Sequence, residues 1–417
     1  MKLSKALKQV TVAALTGAMV AAMGACGGGG ESNAGKTKLS FLSWSNEQTM
    51  RPYIDEFEKE NPDIKVDFSY SPPTPEYIQT LQTRLVGNQA PDVFIITSEN
   101  KADLIKNGYV RDLTDEPFMK NISQANKDFV SHDKKVYGMS LSSWASGIIY
   151  NKELLAKVGA KSVPDNWDDF LKLCEKLKKA QITPFLETIA DGPSRIPDAF
   201  LGSEFAQNNV DVTSLIDKRP QTPGADQKEA VKAWMKLYDE DLVTRDTVGI
   251  SGDDMKTQFV NGQVAMICTG PWDIPSFSES DIKWGMAPMP MLAKGQINYA
   301  QGSPSPAFAI YSKLSGSKLK AARKFLTFLE GDWALKERAK NGDAVTVEGF
   351  KSTVKKEYQT VYEKNVKTGR YFLVMNFYAK PDVLTTVRQS ETQQLVQGSI
   401  SVDQWAKAID DKMASVK

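Results

Sequence analysis

The chain has 417 residues, with 52 Lys and Arg against 51 Asp and Glu, a formal net charge of +1, three cysteines and one histidine. Such a balance gives no global field that favours nucleic acid or an anionic bilayer surface, so recognition has to be local. His132, alone in the charged stretch SHDKK, argues against histidine-based catalysis and multi-histidine metal sites, and no cofactor is expected.

Lys2, Lys5 and Lys8 precede an apolar run from Val10 to Met23. At about 14 residues it fits a signal h-region and falls short of the ~20 that a spanning helix needs, so residues 1–25 are expected to be an export signal. The string MGAC resembles a bacterial lipoprotein signal, in which small residues, here Gly24 and Ala25, precede a cysteine that is lipidated and becomes the mature N-terminus; Met23 stands where such signals usually carry leucine. Cys26 is therefore the expected membrane anchor, with an incidental cysteine in an ordinary secretory signal as the alternative. Residues 26–37 are Gly-rich and polar and should form a flexible tether. Roughly 390 residues remain, more than the ~250–300 at which single cores stop growing. Cys174 and Cys268 are too few for a disulfide framework; buried free thiols are expected, with one disulfide as the alternative.

Folding is expected to start at Lys38. LSFLSW reads as a strand, and Met50, Tyr53, Ile54 and Phe57 recur at helical spacing from Asn46 to Asn61 before Pro62. Ile64 to Tyr70 alternates as a second strand, Pro72, Pro73 and Pro75 break the chain, and Glu76 to Val86 makes a helix stopped by Gly87. VFIIT at 93–97 is a continuous apolar run, as in a strand covered on both faces, and a helix over 100–107 ends at Gly108. Strand–helix alternation of this kind predicts an α/β lobe with a largely parallel sheet. After Tyr137 the pattern restarts: a strand at 147–151, a helix over 152–158, and an amphipathic helix capped by Asp165 with Trp167, Phe170, Leu171 and Leu177 inward. Further helices are predicted at 226–241 and 252–261, strands at 264–268 and 308–311, a helix at 317–329, and a last helix opening at Ser401 with a Ser-x-x-Gln capping box.

PDVF (91–94), KNGYVRDL (106–113), KVYGM (135–139), GIIYNKELLAKVG (147–159), VPDNWDDFLKLCEKLKK (163–179), FVNGQVAM (259–266), GPW (270–272) and KAARKFLTFL (320–329) together resemble the family 1 extracellular solute-binding proteins, the maltose-binding-protein-like substrate-binding lipoproteins of ABC importers. The resemblance implies a two-lobed type II periplasmic-binding-protein-like α/β fold, each lobe a mainly parallel sheet flanked by helices, with a sugar cleft between the lobes. It puts residues 38–140 plus 286–342 in lobe one and 141–285 plus 343–417 in lobe two, with crossings near 138–145, 284–289 and 341–347. It also implies a monomer held outside the cell, with a carbohydrate ligand and the transmembrane subunits of a permease as partners.

A pyranose offers a weakly apolar face and a rim of hydroxyls, so it is held by an aromatic plate and by polar groups at its edge. Trp144 lies in SLSSWAS with no apolar face to bury it, and Trp272 follows Gly270 and Pro271 where the family has a stacking aromatic; both are expected in the cleft. Trp44 ends the first strand among Ser43, Ser45 and Asn46, with cleft and core both open to it, and Glu47 either caps the helix or meets ligand. Ser98, Glu99 and Asn100 follow the third strand at a family contact position, although Ile96 stands where the maltose-binding relative has tryptophan. Glu187 and Asp191 follow another strand, Asp273 is both an N-cap and a ligand candidate, Gly302 and Ser303 are expected to bring backbone donors to the ligand, and Phe377 and Tyr378 offer a plate or packing. Trp167, Trp234, Trp333 and Trp405 are assigned to packing, and Trp284 stays open. Two carboxylates also suit a glycoside hydrolase, and a surface glycan receptor unlinked to transport fits the same export signal.

Overall fold

The computed structural model describes residues 35–210 and 221–415; the expected export signal, Cys26 and nearly all of the expected tether lie outside them. In the first lobe β1 (Thr37–Ser43) runs parallel to β2 (Ile64–Tyr70) and β3 (Val93–Ile96), and β12 (Ala307–Ile310) closes the sheet antiparallel to β3 in the order β12-β3-β1-β2. Phe41 of β1 sits at the centre, ring to ring with Phe68, Phe308 and Phe325. Helix Glu47–Glu60 buries Met50, Tyr53, Ile54 and Phe57, the spacing read from the sequence. A small hairpin of β4 (Ser131–His132) and β5 (Lys135–Val136) lies at the edge of this lobe.

The second lobe holds a separate core, built from Trp167, Phe170, Phe185, Phe200, Trp234, Tyr238 and Trp405 among others. Its sheet runs β10-β7-β9-β8: β7 (Gly147–Asn151), β8 (Thr183–Leu186), β9 (Val264–Thr269) and β10 (Trp284–Ala287). Only β8 and β9 pair in parallel; β7 is antiparallel to both β9 and β10, where mainly parallel strands were expected. The reason is connectivity. β7 enters from the other lobe, so no crossover helix ties its direction to its neighbours.

Three segments join the lobes. The chain leaves the first core between Leu141 and Ala145, returns between Ala300 and Ala307, and leaves again over 344–358, where Ala344 touches the second core and Val345 and Val347 the first. The middle passage was expected near 284–289, with 286–342 in lobe one. Instead Trp284 and Met286, two apart on one face of β10, are buried in the second core together with Met289, Met291 and Ala300. At the junction β6 (Ser143–Ala145), β11 (Ala300–Pro304) and β13 (Tyr371–Phe372) form a three-stranded sheet, extended by bridges Met139–Phe308 and Ser142–Val345. Gly302 is needed in it because a Cβ would fall 2.3 Å from the Trp144 carbonyl oxygen.

Two local expectations resolve by capping. Asn166, not Asp165, caps helix Trp167–Lys179, accepting from Asp169 N–H at 3.0 Å. Ser401 and Gln404 form the reciprocal box read from the sequence. Helix Ile196–Gln207 is fixed by Asp198, wholly buried, whose carboxylate meets Arg388 at 2.7 Å and accepts from Val374 N–H at 3.3 Å. Removing one partner of a buried pair leaves an uncompensated charge, so Asp198→Ala is expected to lower stability by about 3–5 kcal/mol in urea unfolding. A change below 1 kcal/mol would mean that Arg388 finds another partner.

Candidate functional site

β12 starts at the junction and runs away from it, so β1, β2 and β3 run towards it. In the second lobe β7 leaves the junction, so antiparallel β9, and β8 with it, point back. The C-terminal ends of both sheets therefore open on the space between the lobes, the place where α/β sheets present ligands. Trp44, Tyr70 and Thr97–Asn100 lie at these ends in lobe one; Glu187–Arg195 and Gly270–Asp273 lie at them in lobe two.

Trp144 and Trp272 meet there, ring centroids 5.3 Å apart at 75°. Trp144 is carried by β6 of the junction sheet, between Ser143 and Ala145, which face inward and are buried. Trp272 is 49% exposed, unusual for an indole, and its ring lies so close over Gly270 that a Cβ there would come within 2.2 Å of it. The guanidinium of Arg195 stands over the same ring at 5.5 Å. On the opposite side Trp44 is half-buried, edge-on to Tyr77, and Tyr70, which pairs with Ser43, is 46% exposed at the same sheet end.

Most of the other predicted groups are engaged by the protein. Asn46 caps helix Glu47–Glu60 through Thr49, and Glu47 pairs with Arg51. Glu187 is buried, with Oε1 accepting from Trp234 Nε1 at 2.7 Å and Tyr238 Oη at 3.0 Å, and Oε2 accepting from Ser194 Oγ at 2.6 Å. Asp191 accepts from Gly252 N–H at the start of helix Gly252–Val260. Asp273 accepts from Thr269 Oγ1 at 2.5 Å and faces Lys256 at 3.3 Å. Ser303 is buried and accepts from Asn376, and Tyr378 is buried with its hydroxyl on Asp226 at 2.6 Å. Gly302 and Ser303 thus lie within the junction sheet, paired with β6, and Tyr378 packs into the second core. Trp284 is core, against Phe277. Ser98 and Glu99 remain at the end of β3, Ser98 buried and Glu99 half-buried, beside Asn100, whose side chain accepts from Thr97 N–H.

Arg195 and Tyr70 are the two residues at this groove that the sequence did not single out. Tyr70 closes an alternating strand, and exposure at a strand end was the available signal; an arginine before a helix carries none. Cys174 and Cys268 are free and buried, and burial pushes the Cys268 thiol up to about 12. Among the described residues, no group of three or more His, Cys, Asp or Glu side chains could hold a metal ion, and no helix is long and apolar enough to cross a membrane.

Comparison with known proteins agrees with this architecture. The family model for bacterial extracellular solute-binding proteins matches residues 43–334. A family 1 extracellular solute-binding protein from Bifidobacterium longum subsp. infantis superposes with a TM-score of 0.81 at 32% identity, covering 92% of this chain and 100% of that one. The apo form of RafE from Streptococcus pneumoniae gives 0.75 at 19% identity, over 92% and 98% of the chains. The multiple sugar-binding protein of Streptococcus mutans is 25% identical over 338 residues, 77% of this chain and 78% of its own.

The packing makes two checks possible. Gly270→Ala is expected to drive the Trp272 ring off its seat and abolish the circular-dichroism couplet of the indole pair, as Trp272→Ala does; a surviving couplet would contradict the close approach. Burial, the largest cause, raises the Glu187 carboxyl above its ordinary value of 4.5. A raised acid stabilises the fold fully below its unfolded pKa, and that contribution is lost as pH rises through the folded value. Urea unfolding of Glu187→Gln from about pH 4 to 8 should therefore show a flatter fall in stability than the unsubstituted protein.

Proposed function

The chain belongs to the bacterial extracellular solute-binding proteins, and on that premise we propose that it captures a carbohydrate between its lobes and delivers it to the transmembrane subunits of an ABC importer. The family and the matched relatives are binding proteins, not enzymes. The observation that carries the carbohydrate reading is the indole pair Trp144–Trp272, with Trp272 49% exposed after β9 and Trp144 half-buried on the junction sheet, where a packing role would bury both. Indoles offer the flat apolar face that a sugar ring stacks on, with edge polarity around them. Trp44 and Tyr70 supply aromatic surface from the other lobe, which suits a ligand longer than one ring. The name of the Streptococcus mutans relative points to the same ligand class.

Capture works by population shift. Two lobes with separate cores turn about the junction sheet, and a ligand touching both favours the closed arrangement by its additional contacts. Moving such an equilibrium from 1:99 to 99:1 takes about 5.5 kcal/mol of differential affinity, within reach of stacked rings and several charge-assisted bonds. The permease would then engage the closed form. Lipidation at Cys26, with residues 26–37 as tether, keeps the monomer at the outer face of the cell membrane, close to that partner.

The hydrolase reading finds no support at the pair that suggested it. Both Glu187 oxygens accept bonds from the lobe interior, and Asp191 serves a helix start. Trp272→Ala and Trp144→Ala are each expected to weaken sugar binding by about 1.5 kcal/mol or more, roughly tenfold, by calorimetry with the melting temperature kept. Unchanged affinity in both would remove the indole pair from the site, and product released on overnight incubation would restore the hydrolase.

A further inference from the structure

Arg195 stands over the Trp272 ring of the indole pair, 5.5 Å from its centroid. Among the described residues no hydrogen bond or ion pair engages its guanidinium, and Nε is buried without a partner. Arg195 is half-buried, so the guanidinium keeps donors that no described group engages and that an acceptor arriving beside Trp272 can meet. Its placement is well determined. Ser194, the residue before it, is bonded to buried Glu187, and helix Ile196–Gln207 after it is pinned by the Asp198–Arg388 pair. The planar fork is therefore held over the Trp272 ring from a fixed stretch of backbone.

We propose that Arg195 is a specificity-determining ligand contact, donating in bidentate fashion to two adjacent hydroxyl oxygens of a saccharide that rests on Trp144 and Trp272. The assignment rests on the carbohydrate reading and adds to it the residue that reads the ligand's rim. Adjacent hydroxyls of a sugar ring offer two acceptor oxygens side by side, the arrangement that the paired N–H groups of a guanidinium meet.

The test uses the mature chain and calorimetry on maltose, maltotriose, raffinose, stachyose, cellobiose and trigalacturonate. For the neutral sugar that binds best, Arg195→Gln should weaken affinity at least tenfold with an unchanged melting temperature and far-ultraviolet circular dichroism. Arg195→Lys, which keeps the charge but loses the fork, should also weaken it. Affinity of the unsubstituted protein should change little with salt. Arg195→Gln binding within twofold of the unsubstituted protein overturns the contact while leaving the carbohydrate reading intact; full affinity in Arg195→Lys reduces the residue to a charge and overturns the hydroxyl pair. Tighter binding of trigalacturonate than of any neutral sugar makes a carboxylate the acceptor and overturns the hydroxyl pair. No binding by any member overturns the carbohydrate reading and this contact together.

Discussion

One buried amide ties the junction together. Asn126, 1% exposed on helix Gln124–Phe129, donates to Ser140 O, Ser140 Oγ and Ser142 O, and its Oδ1 accepts from Ser143 Oγ at 3.0 Å and Thr346 Oγ1 at 3.3 Å. The first and third crossing segments are thus held to a rigid element of lobe one. The middle segment joins through Ser305, which accepts from Ser140 Oγ at 2.6 Å and donates its N–H to Ser142 O at 2.8 Å. Because each lobe buries its own apolar residues, the lobes can turn relative to one another without exposing either core. What has to survive the turn is this short polar ladder, and serine and asparagine supply it with small side chains that leave the backbone free to pair.

The same ladder decides where the aromatic site lies. Trp144 belongs to β6, one strand of the junction sheet, so the indole it offers moves little when the lobes turn. Trp272 and Arg195 come from lobe two, Trp44 and Tyr70 from lobe one. In the proposed capture mechanism, a ligand seated on the junction indole would be approached by one jaw from each side, with its affinity coupled to closure by the residues furthest from the axis. Rigid placement at the centre and mobile placement at the rim are what differential affinity requires, since contacts made equally in both arrangements shift nothing.

The sequence revealed whatever depends on periodicity. Met50, Tyr53, Ile54 and Phe57, the continuous run VFII, and the Ser401–Gln404 box all announce their burial or bonding locally. Trp144 was visible for the opposite reason, an indole in a polar stretch without an apolar face. Polar candidates fared worse, because a carboxylate beside a strand end looks the same whether it meets ligand or caps a helix. Asn46, Glu47, Asp191 and Asp273 are all taken by partners brought close by local turns or by a neighbouring helix. Glu187 is the sharpest case: its partners Trp234 and Tyr238 are 47 and 51 residues away. The middle crossing was misplaced for a similar reason. Short strands such as β10 and β11 carry too few residues to reveal which sheet they join, and only burial of Trp284 and Met286 decides it.

Glu187 also ties the interior of the second lobe to its polar rim. Its carboxyl, raised by burial, is shared among Trp234, Tyr238 and Ser194, which join helix Pro223–Asp239 to the loop that carries Arg195. Tyr238 in turn meets Thr247 at 3.1 Å, tying the network to the turn that backs Ile189 and Ala190. A buried network of this kind is rigid only when every member is satisfied. Here the satisfied acid lies inside and holds, through Ser194, the backbone that carries Arg195, so the guanidinium over Trp272 is placed by a loop whose shape is fixed from within.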